Sequence, residues 1–300
     1  MSAKRITSFG IWMVPSRYIG IPESNRSDFC FKKGANMDDY LSFAKDLAYE
    51  AGAIMKKYFG QNPDASFKED ETIVTVADKE INSLVIAKVK AAYPGHAVDG
   101  EEESHGEKTE YVWVCDPIDG TNPFAMQLPV SVFSLALVVD GESVVGVVYD
   151  PYCDKLYTAV KGHGAFVNDA PLQVSANGFS KRVRMNVDWW SDAEYDTLAA
   201  MHQLSRDKGV YLLYPGSTTH AAVLVAEGAF VASVFPGTKG KNVDIAAAKV
   251  IVEEAGGKVT DIFGEEQRYD GDIRGAIVSN GIVHDDIVQY MKAELSKEKV

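Results

Sequence analysis

The sequence is poor in cysteine, in long apolar runs and in positive charge. Its three cysteines, Cys30, Cys115 and Cys153, form no CxxC pair, which argues against a disulfide framework and predicts a reducing, cytoplasmic location. No apolar run approaches the roughly 18 residues of a transmembrane helix. The formal net charge of −13 makes the chain a poor partner for a nucleic-acid backbone. We therefore expect neither a membrane nor a nucleic-acid polymer as a partner.

Paired histidines, internal repeats and Pro-rich linkers are also absent from the sequence. The six histidines have no common spacing, so each is predicted to be a surface or packing residue rather than a metal ligand. A hydrophobic content of 46% over 300 residues is enough to bury a sizeable core. The chain is therefore expected to fold as one large domain or as two closely packed halves.

The first 36 residues differ in composition from the rest. They contain six basic residues against two acidic ones, with no clear hydrophobic period and no secretory apolar segment followed by a cleavage site. We predict that residues 1–36 form a basic arm, disordered or loosely attached to the folded part. Two alternatives stay open: an extension upstream of a natural start at Met37, and a basic organellar presequence.

Regular patterns begin at Met37, where apolar residues start to recur at helical spacing and predict an amphipathic helix. Val132–Val139 and Val144–Tyr149 flank an Asp-Gly pair and predict a β-hairpin. Strand and helix patterns alternate in the second half. We predict an α/β (α+β) fold, with an N-terminal α+β half at residues 37–176 and a C-terminal α/β half at residues 177–300.

The most informative stretch is Tyr111–Phe124. A β-branched and aromatic run ends in Asp116 and Asp119, and Gly120 and Thr121 follow directly. Carboxylates bind cations, whereas open backbone amides at a glycine turn bind phosphate oxygens. Because a divalent metal must offset the repulsion between carboxylates and a phosphate ester, the combination indicates a metal-assisted phosphoryl site. A tight turn with an Asp cap is the alternative.

Further acidic positions have both a structural and a chemical interpretation. Asp78 lies where a helix to about Ala92 is predicted to begin, and Asp244 heads a later helix, so each could be a helix cap. The run Glu101–Glu103 follows a glycine, and such charge runs are usually solvated surface. Its place just before the aspartate strand instead favours a hard divalent ion, which takes oxygen ligands from separate segments.

Gly216 and Ser217 open the predicted helix Thr218–Ala226. Small residues at this point leave backbone amides open at a helix start. A ligand hydroxyl or phosphate oxygen could bind there. An ordinary N-cap is the alternative.

Taken in order, these residues resemble the inositol monophosphatase family of lithium-sensitive, magnesium-dependent phosphatases. The resemblance extends from about Met37 to Met291, and it implies a layered α-β-α-β-α sandwich with the metal and phosphate site where the two halves meet. The motifs that carry it are Asp78, then Gly100-Glu101-Glu102, then Asp116-Pro117-Ile118-Asp119-Gly120-Thr121, and finally Asp244 followed by Ala246-Ala247 and Glu254-Ala255-Gly256-Gly257.

The resemblance also implies a role for each motif residue. Two or three Mg²⁺ ions would be bound, Li⁺ would inhibit, and a homodimer is a further implication of the resemblance alone. Asp78, hydrogen-bonded to the Thr121 hydroxyl, would help to activate the attacking water, and Glu102 would be the second acid of a glutamate pair. The Gly120 and Thr121 amides would hold phosphate oxygens. The implied metal ligands are Glu101, Asp116, the Ile118 carbonyl, Asp119 and Asp244.

Two departures from the family pattern bear on ligation and substrate. The glutamate run leaves the ligand open between Glu101 and Glu102, and we choose Glu101 because it directly follows the glycine. The stretch before Asp244 has no clear match for the acid that holds inositol hydroxyls in the family, and it is longer and basic. Lys239 and Lys241 are predicted to meet a second phosphate, similar to the dual-specificity fructose-1,6-bisphosphatases. A solvated surface loop is the alternative.

We predict a Mg²⁺-dependent phosphomonoesterase acting on a small phosphorylated metabolite, with inositol 1-phosphate as the first choice. Fructose 1,6-bisphosphate, histidinol phosphate and 3′-phosphoadenosine 5′-phosphate are alternatives, because the pocket side chains that separate them are not assigned by the sequence. A rival of another class is a regulatory protein that binds such a metabolite without turnover. The retention of every motif acid favours the enzyme.

Overall fold

The computed structural model describes most of the chain from Asn36 onward. The predicted arm, residues 1–36, lies outside the described residues except for Asn36. In the part of the chain that is described, no helix is both long and apolar enough to cross a membrane. The described residues are 36–61, 65–67, 73–107, 109–191, 193, 195–237 and 241–297.

The helices follow the apolar periods of the sequence. The first begins after Asn36, whose side chain accepts a hydrogen bond from the Asp38 N–H at 3.2 Å, and it buries one apolar stripe, which confirms the amphipathic helix predicted from Met37. The α-helices of the described residues are α1 (Met37–Tyr58), α2 (Val76–Ala92), α3 (Thr121–Ala125), α4 (Thr197–Lys208), α5 (Thr218–Ala226), α6 (Ala246–Glu254) and α7 (His284–Leu295).

Helix α2 begins at Val76, before the position predicted for its cap. The N-cap is Thr75, whose side chain accepts a hydrogen bond from the Asp78 N–H at 3.4 Å, while the Thr75 N–H donates to Asp78 Oδ2 at 2.8 Å. This reciprocal capping box places Asp78 inside the first turn. The prediction of Asp78 as the N-cap is therefore wrong, because the preceding threonine supplies the cap.

The larger sheet has seven strands and contains the predicted hairpin. A separate antiparallel pair is formed by β1 (Ala65–Phe67) and β2 (Ile73–Thr75). The sheet itself consists of β3 (Ala97–Gly100), β4 (Tyr111–Asp119), β5 (Val132–Val139), β6 (Glu142–Asp150), β7 (Lys155–Val160), β8 (Ala165–Val167) and β9 (Ala170–Pro171), which lie side by side in chain order. Strands β3 and β4 are parallel, and the other neighbours are antiparallel. The β5–β6 hairpin is therefore confirmed.

The smaller sheet mixes parallel and antiparallel pairs. Its strands are β10 (Arg184–Val187), β11 (Tyr211–Leu213), β12 (Ala232–Phe235), β13 (Lys258–Thr260) and β14 (Ala276–Ser279). They lie in the order β11-β10-β12-β14-β13, with β10 parallel to both β11 and β12. The carboxyl ends of these three strands therefore share one edge, which is where α/β sheets commonly bind ligands.

Helices and sheets alternate in five layers. Helices α1 and α2 cover one face of the larger sheet, α5 and α6 lie between the sheets, and α4 and α7 cover the outer face of the smaller sheet. Helix α6 approaches β6 at Gly146, where a Cβ would lie 2.5 Å from the Ala247 carbonyl oxygen, so this close contact requires glycine. The predicted α/β class and layered α-β-α-β-α sandwich are confirmed.

Candidate metal site

The parallel pairing of β3 and β4 brings the glutamate run beside the aspartate strand. The register pairs Gly100 with Cys115, and the Glu101 N–H donates to the Cys115 carbonyl at 3.1 Å. Glu101 and Glu102 are both partly buried. Two separate segments thus deliver acids to the same end of the sheet, next to Asp116.

Strand β4 carries its two aspartates into the interior. Its pairing with β5 is regular as far as Asp116 and resumes at Asp119, with an irregularity between them, because Pro117 has no N–H to donate to the ladder. The Ile118 N–H donates instead to Asp116 Oδ1 at 3.0 Å, which orients that carboxylate. Only 2% of Asp116 and 4% of Asp119 is exposed.

Asp244 reaches the same place from the later part of the chain. It ends a 3₁₀ helix, Lys241–Asp244, and α6 begins only at Ala246, so Asp244 does not head the α-helix as the sequence predicted. One carboxylate oxygen from each of Asp116, Asp119 and Asp244 lies within 4.8 Å of the others, and all three residues are buried. We call these residues the aspartate trio.

Thr219 holds two members of the trio in place. Its N–H donates to Asp119 Oδ2 at 3.0 Å, and its hydroxyl donates to the Asp244 carbonyl oxygen at 2.7 Å. The Ser217 hydroxyl also donates to Asp119 Oδ2. Because these donors belong to the N-cap and first turn of α5, the start of one helix orients residues from two distant segments.

The trio concentrates negative charge where water has little access. Burial raises the pKa of Asp119 well above its ordinary value, the Asp244 carboxylate raises it further, and the hydrogen bond from Ser217 opposes the rise. A divalent cation would offset both the burial of charge and the mutual repulsion. Three carboxylates, with the Ile118 carbonyl nearby in sequence, form a set of oxygen donors that fits a hard ion such as Mg²⁺ or Mn²⁺.

Asp78 is a buried acid next to the glutamates. Its pKa is raised to about 7, mainly by burial; hydrogen bonds from Thr75 oppose the rise, and the charges of Glu102 and Glu101 add to it. Both Thr75 donors bind Oδ2, whereas Oδ1 is buried without a hydrogen-bond partner among the described residues. A carboxylate with a free oxygen and a pKa near neutrality is suited to accept a proton from water.

Thr121 is placed differently from the sequence expectation. Its hydroxyl donates to the Ile118 carbonyl oxygen at 3.2 Å, and the structure described here has no hydrogen bond between Thr121 and Asp78. Gly120 adopts a left-handed conformation with φ 87°, and α3 begins at Thr121. The N–H groups at this point therefore have no partner inside the helix, as an anion site requires.

Two glycines let the turns around α3 and α5 approach each other. A Cβ on Gly120 would lie 3.0 Å from the Ser217 Cβ, and one on Gly216 would lie 2.9 Å from Pro123 Cγ. Gly216 also has a positive φ of 89°. Ser217 is the N-cap of α5, because its side chain accepts a hydrogen bond from the His220 N–H at 3.3 Å. The cap interpretation of Ser217 and its place beside the trio are therefore compatible.

Of the other site residues that the sequence predicts, the structure describes Glu102 but not the side chains of the two lysines. The Glu102 N–H donates to Asn82 Oδ1 at 3.4 Å, which fixes the backbone of the glutamate run. Lys239 lies outside the described residues, and so does the side chain of Lys241. A contact between these lysines and a second phosphate therefore stays a prediction.

Sequence reasoning missed three polar residues that support the site. Besides Thr219, these are Asn242, whose Nδ2 donates to Asp99 Oδ2 at 3.2 Å, and Ser131, whose hydroxyl donates to the Gly120 carbonyl at 2.8 Å. The run of hydroxyl residues at the start of α5 is a signal that could have identified Thr219. No local pattern marks the other two, because the partner of Asn242 is 143 positions away and that of Ser131 is a backbone carbonyl 11 positions away across a turn.

The role of Thr219 can be tested with Thr219→Val, which removes the hydroxyl but keeps the shape. We expect the affinity for Mg²⁺ or Mn²⁺ to fall about tenfold, because groups that orient metal ligands typically contribute that much. Isothermal titration calorimetry measures this affinity. Thr260→Val is a matched control, since the Thr260 hydroxyl also donates to a backbone carbonyl, that of Asp261 at 2.8 Å. Equal metal affinity in both variants would contradict the role of Thr219.

The sequence and the fold were each compared with those of known proteins, and both comparisons find the same family. Residues 36–296 match the model of the inositol monophosphatase family. A fructose-1,6-bisphosphatase/inositol-1-monophosphatase of Aquifex aeolicus is 32% identical over 273 residues, covering 86% of this chain and 97% of that protein. A histidinol-phosphatase of Chlorobaculum parvum is 33% identical over 253 residues, covering 83% and 95%.

A solved structure shares the same architecture. The inositol monophosphatase of Thermotoga maritima superimposes with a TM-score of 0.77 at 29% identity, covering 86% of this chain and 99% of that one. The family model spans most of the chain, and the relatives are phosphatases of small phosphorylated substrates. The buried aspartate trio agrees with the metal dependence of that family. The chain therefore belongs to the inositol monophosphatase family of phosphatases.

Proposed function

We propose that this protein hydrolyses the phosphate monoester of a small metabolite with the help of Mg²⁺. The observation that carries the proposal is the aspartate trio, buried beside a glycine turn whose N–H groups open a helix. Membership of a phosphatase family supports the same activity. A binding protein without turnover would need neither the trio nor a near-neutral Asp78 whose Oδ1 has no hydrogen-bond partner among the described residues.

The metal would be held by the trio together with Glu101 and the Ile118 carbonyl. When bound, Mg²⁺ would supply an acidified water and neutralise charge on the phosphate. The chain contributes rigidity, because Thr219, Ser217 and the Ile118 N–H fix the trio before any ligand binds. Such preorganisation reduces the reorganisation needed during the reaction.

The proton of the attacking water would pass to the group formed by Asp78, Thr121 and Glu102. Asp78 is the acceptor, because its Oδ1 is free among the described residues and its pKa is raised to about 7. The negative charge of Glu102 helps to keep that pKa high. Thr121 would then position the water through its hydroxyl, which has to rotate away from the Ile118 carbonyl that it contacts at 3.2 Å.

The phosphate would bind at the open backbone of two adjoining turns. The N–H groups of Gly120 and Thr121 begin α3, and Gly216 and Ser217 lie against that helix. Backbone donors at a helix start favour a phosphate oxygen. Lys239 and Lys241 are the residues that the sequence predicts to bind a second phosphate if the substrate is a bisphosphate.

The substrate that we propose first is inositol 1-phosphate. Three of the phosphate esters considered above are supported by the relatives, which include an inositol monophosphatase, a fructose-1,6-bisphosphatase/inositol-1-monophosphatase and a histidinol-phosphatase. All three substrates place a phosphate monoester on a small alcohol. They would share one phosphate site and differ in the rest of the molecule, which in fructose 1,6-bisphosphate carries a second phosphate.

Phosphate release tests the proposed function directly. We expect at least one of inositol 1-phosphate, fructose 1,6-bisphosphate, histidinol phosphate and 3′-phosphoadenosine 5′-phosphate to be hydrolysed with Mg²⁺. Activity should be lost in EDTA and return when Mg²⁺ is added in excess, because the carboxylates cannot bind a phosphate ester without a cation. A folded, Mg²⁺-loaded protein that releases no phosphate from any of them would contradict the proposal.

A further inference from the structure

A buried carboxylate that no motif identifies lies at the edge of the aspartate trio. Asp188 directly follows β10 and is 1% exposed. Its charge contributes to the raised pKa values of both Asp119 and Tyr214, which places it near the trio. The Thr218 hydroxyl lies close enough to lower the pKa of Asp188, and Thr218 lies between the N-cap Ser217 and Thr219, the two residues that donate to Asp119.

The backbone and one carboxylate oxygen of Asp188 are held firmly. Its N–H donates to the Val234 carbonyl at 2.9 Å, and its own carbonyl accepts a hydrogen bond from the Thr197 hydroxyl at 2.8 Å. Oδ1 accepts a hydrogen bond from Asn186 Nδ2 at 3.0 Å, and the same amide donates to Ser233 Oγ at 2.9 Å. The side chain is therefore preorganised by two neighbouring strands.

The second oxygen, Oδ2, is buried and accepts no hydrogen bond of normal geometry from the described residues. Burial raises the pKa of Asp188 to about 6, the hydrogen bond from Asn186 and the nearby Thr218 hydroxyl oppose the rise, and no basic side chain contributes. Asp188 is also not one of the three residues whose oxygens converge within 4.8 Å. A buried carboxylate oxygen without a donor is costly to stability, so its presence needs a reason.

The surroundings suit the organic part of a substrate. Trp189 follows Asp188 in the sequence and is 43% exposed. Tyr214, whose pKa is raised by burial and by the charge of Asp188, is 57% exposed. Trp190 Nε1 is a further buried polar atom without a partner among the described residues. Exposed aromatic surface with a few unsatisfied polar atoms is typical of a small-molecule subsite.

We propose that Asp188 is a specificity-determining residue whose Oδ2 accepts a hydrogen bond from the alcohol part of the substrate. This inference rests on the proposed phosphatase function, because a phosphate held at the trio places the alcohol part next to α5. The shared chemistry is a hydrogen-bond donor on that alcohol. The donor is either a hydroxyl of a polyol phosphate or the ammonium group of an amino-alcohol phosphate.

The test compares Asp188→Ala and Asp188→Asn with the unmodified protein on three esters in Mg²⁺. Inositol 1-phosphate offers hydroxyl donors, histidinol phosphate offers an ammonium group, and phenyl phosphate offers no donor. For whichever donor-bearing ester the protein uses, Asp188→Ala should lower kcat/KM by about 10- to 100-fold, mainly through KM. The loss on phenyl phosphate should stay within about threefold, because the phosphate contacts are unchanged.

The asparagine variant separates the two kinds of donor. A substrate hydroxyl can still bind the amide oxygen of Asn, so Asp188→Asn should restore most of the loss if the donor is a hydroxyl. An ammonium group needs the negative charge, so Asn should then be as poor as Ala. Circular dichroism and thermal unfolding establish that each variant is folded.

Two results would overturn the inference. One is an equal loss on phenyl phosphate and on the donor-bearing esters, which would mark Asp188 as a purely structural residue. The other is no loss on any ester with a folded variant. If the unmodified protein hydrolysed none of these three esters and neither of the other two candidate substrates, fructose 1,6-bisphosphate and 3′-phosphoadenosine 5′-phosphate, the proposed phosphatase function would be removed and this inference with it.

Discussion

Asp116→Asn is expected to reduce Mg²⁺-dependent phosphate release about 1,000-fold. The substitution keeps the shape of the side chain and leaves an oxygen for the Ile118 N–H, which now binds Oδ1 at 3.0 Å. It removes one of the three charges that converge within 4.8 Å. Loss of a metal-binding carboxylate costs about 4 kcal/mol of transition-state stabilisation, which corresponds to that factor in rate. Phosphate release under saturating Mg²⁺ is the measurement.

The same substitution, which should lower the activity with Mg²⁺, should raise the stability of the metal-free protein. Removing one buried charge from a repelling trio is expected to stabilise the fold in EDTA by about 1 kcal/mol, measured by urea unfolding. Asp261→Asn is a control for the activity measurement, because Asp261 is fully buried and its Oδ1 likewise accepts a backbone N–H two residues later, that of Phe263 at 2.9 Å, while its carboxylate pairs with Arg274 and lies outside the trio. Full activity of Asp116→Asn, or equal losses in both variants, would contradict the assignment of Asp116.

The parts of the site that sequence could predict are those that neighbouring residues specify. Pro117 ends the strand ladder, and Gly120 permits the turn, so the delivery of Asp116 and Asp119 to the end of β4 follows from a short stretch. The pairing of Gly100 with Cys115 was also accessible in outline, since acids at the ends of two nearby strands were expected to converge. The neighbouring residues thus predicted that Asp116 and Asp119 would lie together at the end of β4, whereas Asp244 was expected beside them only from the family resemblance.

Local order predicted less about how the acids are held. The sequence allows Asp78 to be either a helix cap or a chemical group, and in the structure Thr75 is the cap, because its hydroxyl closes a capping box with Asp78 at the third helical position. Thr219 binds Asp119 across 100 positions of sequence, and Asp188 acquires its place only through strands β10 and β12. Such long-range contacts leave no periodic signal in the chain.

A buried histidine away from the trio gives the fold a defined sensitivity to acid. His284 is fully buried, with Nε2 at 3.0 Å from the Thr260 hydroxyl and Nδ1 at 2.8 Å from the Ser279 hydroxyl. The Thr260 hydroxyl donates to the Asp261 carbonyl, so it accepts from Nε2–H. Nδ1 is then the acceptor of the neutral ring. If Nδ1 were protonated, its N–H would face the Ser279 hydroxyl oxygen, which already accepts a hydrogen bond from the Gly281 N–H at 3.1 Å.

The electrostatic surroundings of His284 agree with this neutral form. Its pKa is lowered to about 4, mainly by burial and next by the charge of Lys258. The carboxylates of Asp285 and Glu266 oppose this decrease, and the charge of Lys249 adds to it. In the unfolded chain the ring has a pKa of about 6.5. Between these two pH values the unfolded state binds a proton that the folded state does not, so acid favours unfolding.

We therefore expect His284 to remove about 3 kcal/mol from the free energy of unfolding as the pH falls from 7 to 4, with most of the loss below pH 6.5. The measurement is urea unfolding across this range for the unmodified protein and for His284→Gln, which keeps polar atoms but does not titrate. Because the other titrating groups are common to both proteins, the difference between the two curves isolates His284. The exposed His202 provides a substitution control, since His202→Gln also replaces an imidazole with an amide but at a position on the surface. Parallel curves for His284→Gln would mean that the buried ring accepts a proton in the folded state, which the hydrogen bonds to Thr260 and Ser279 argue against.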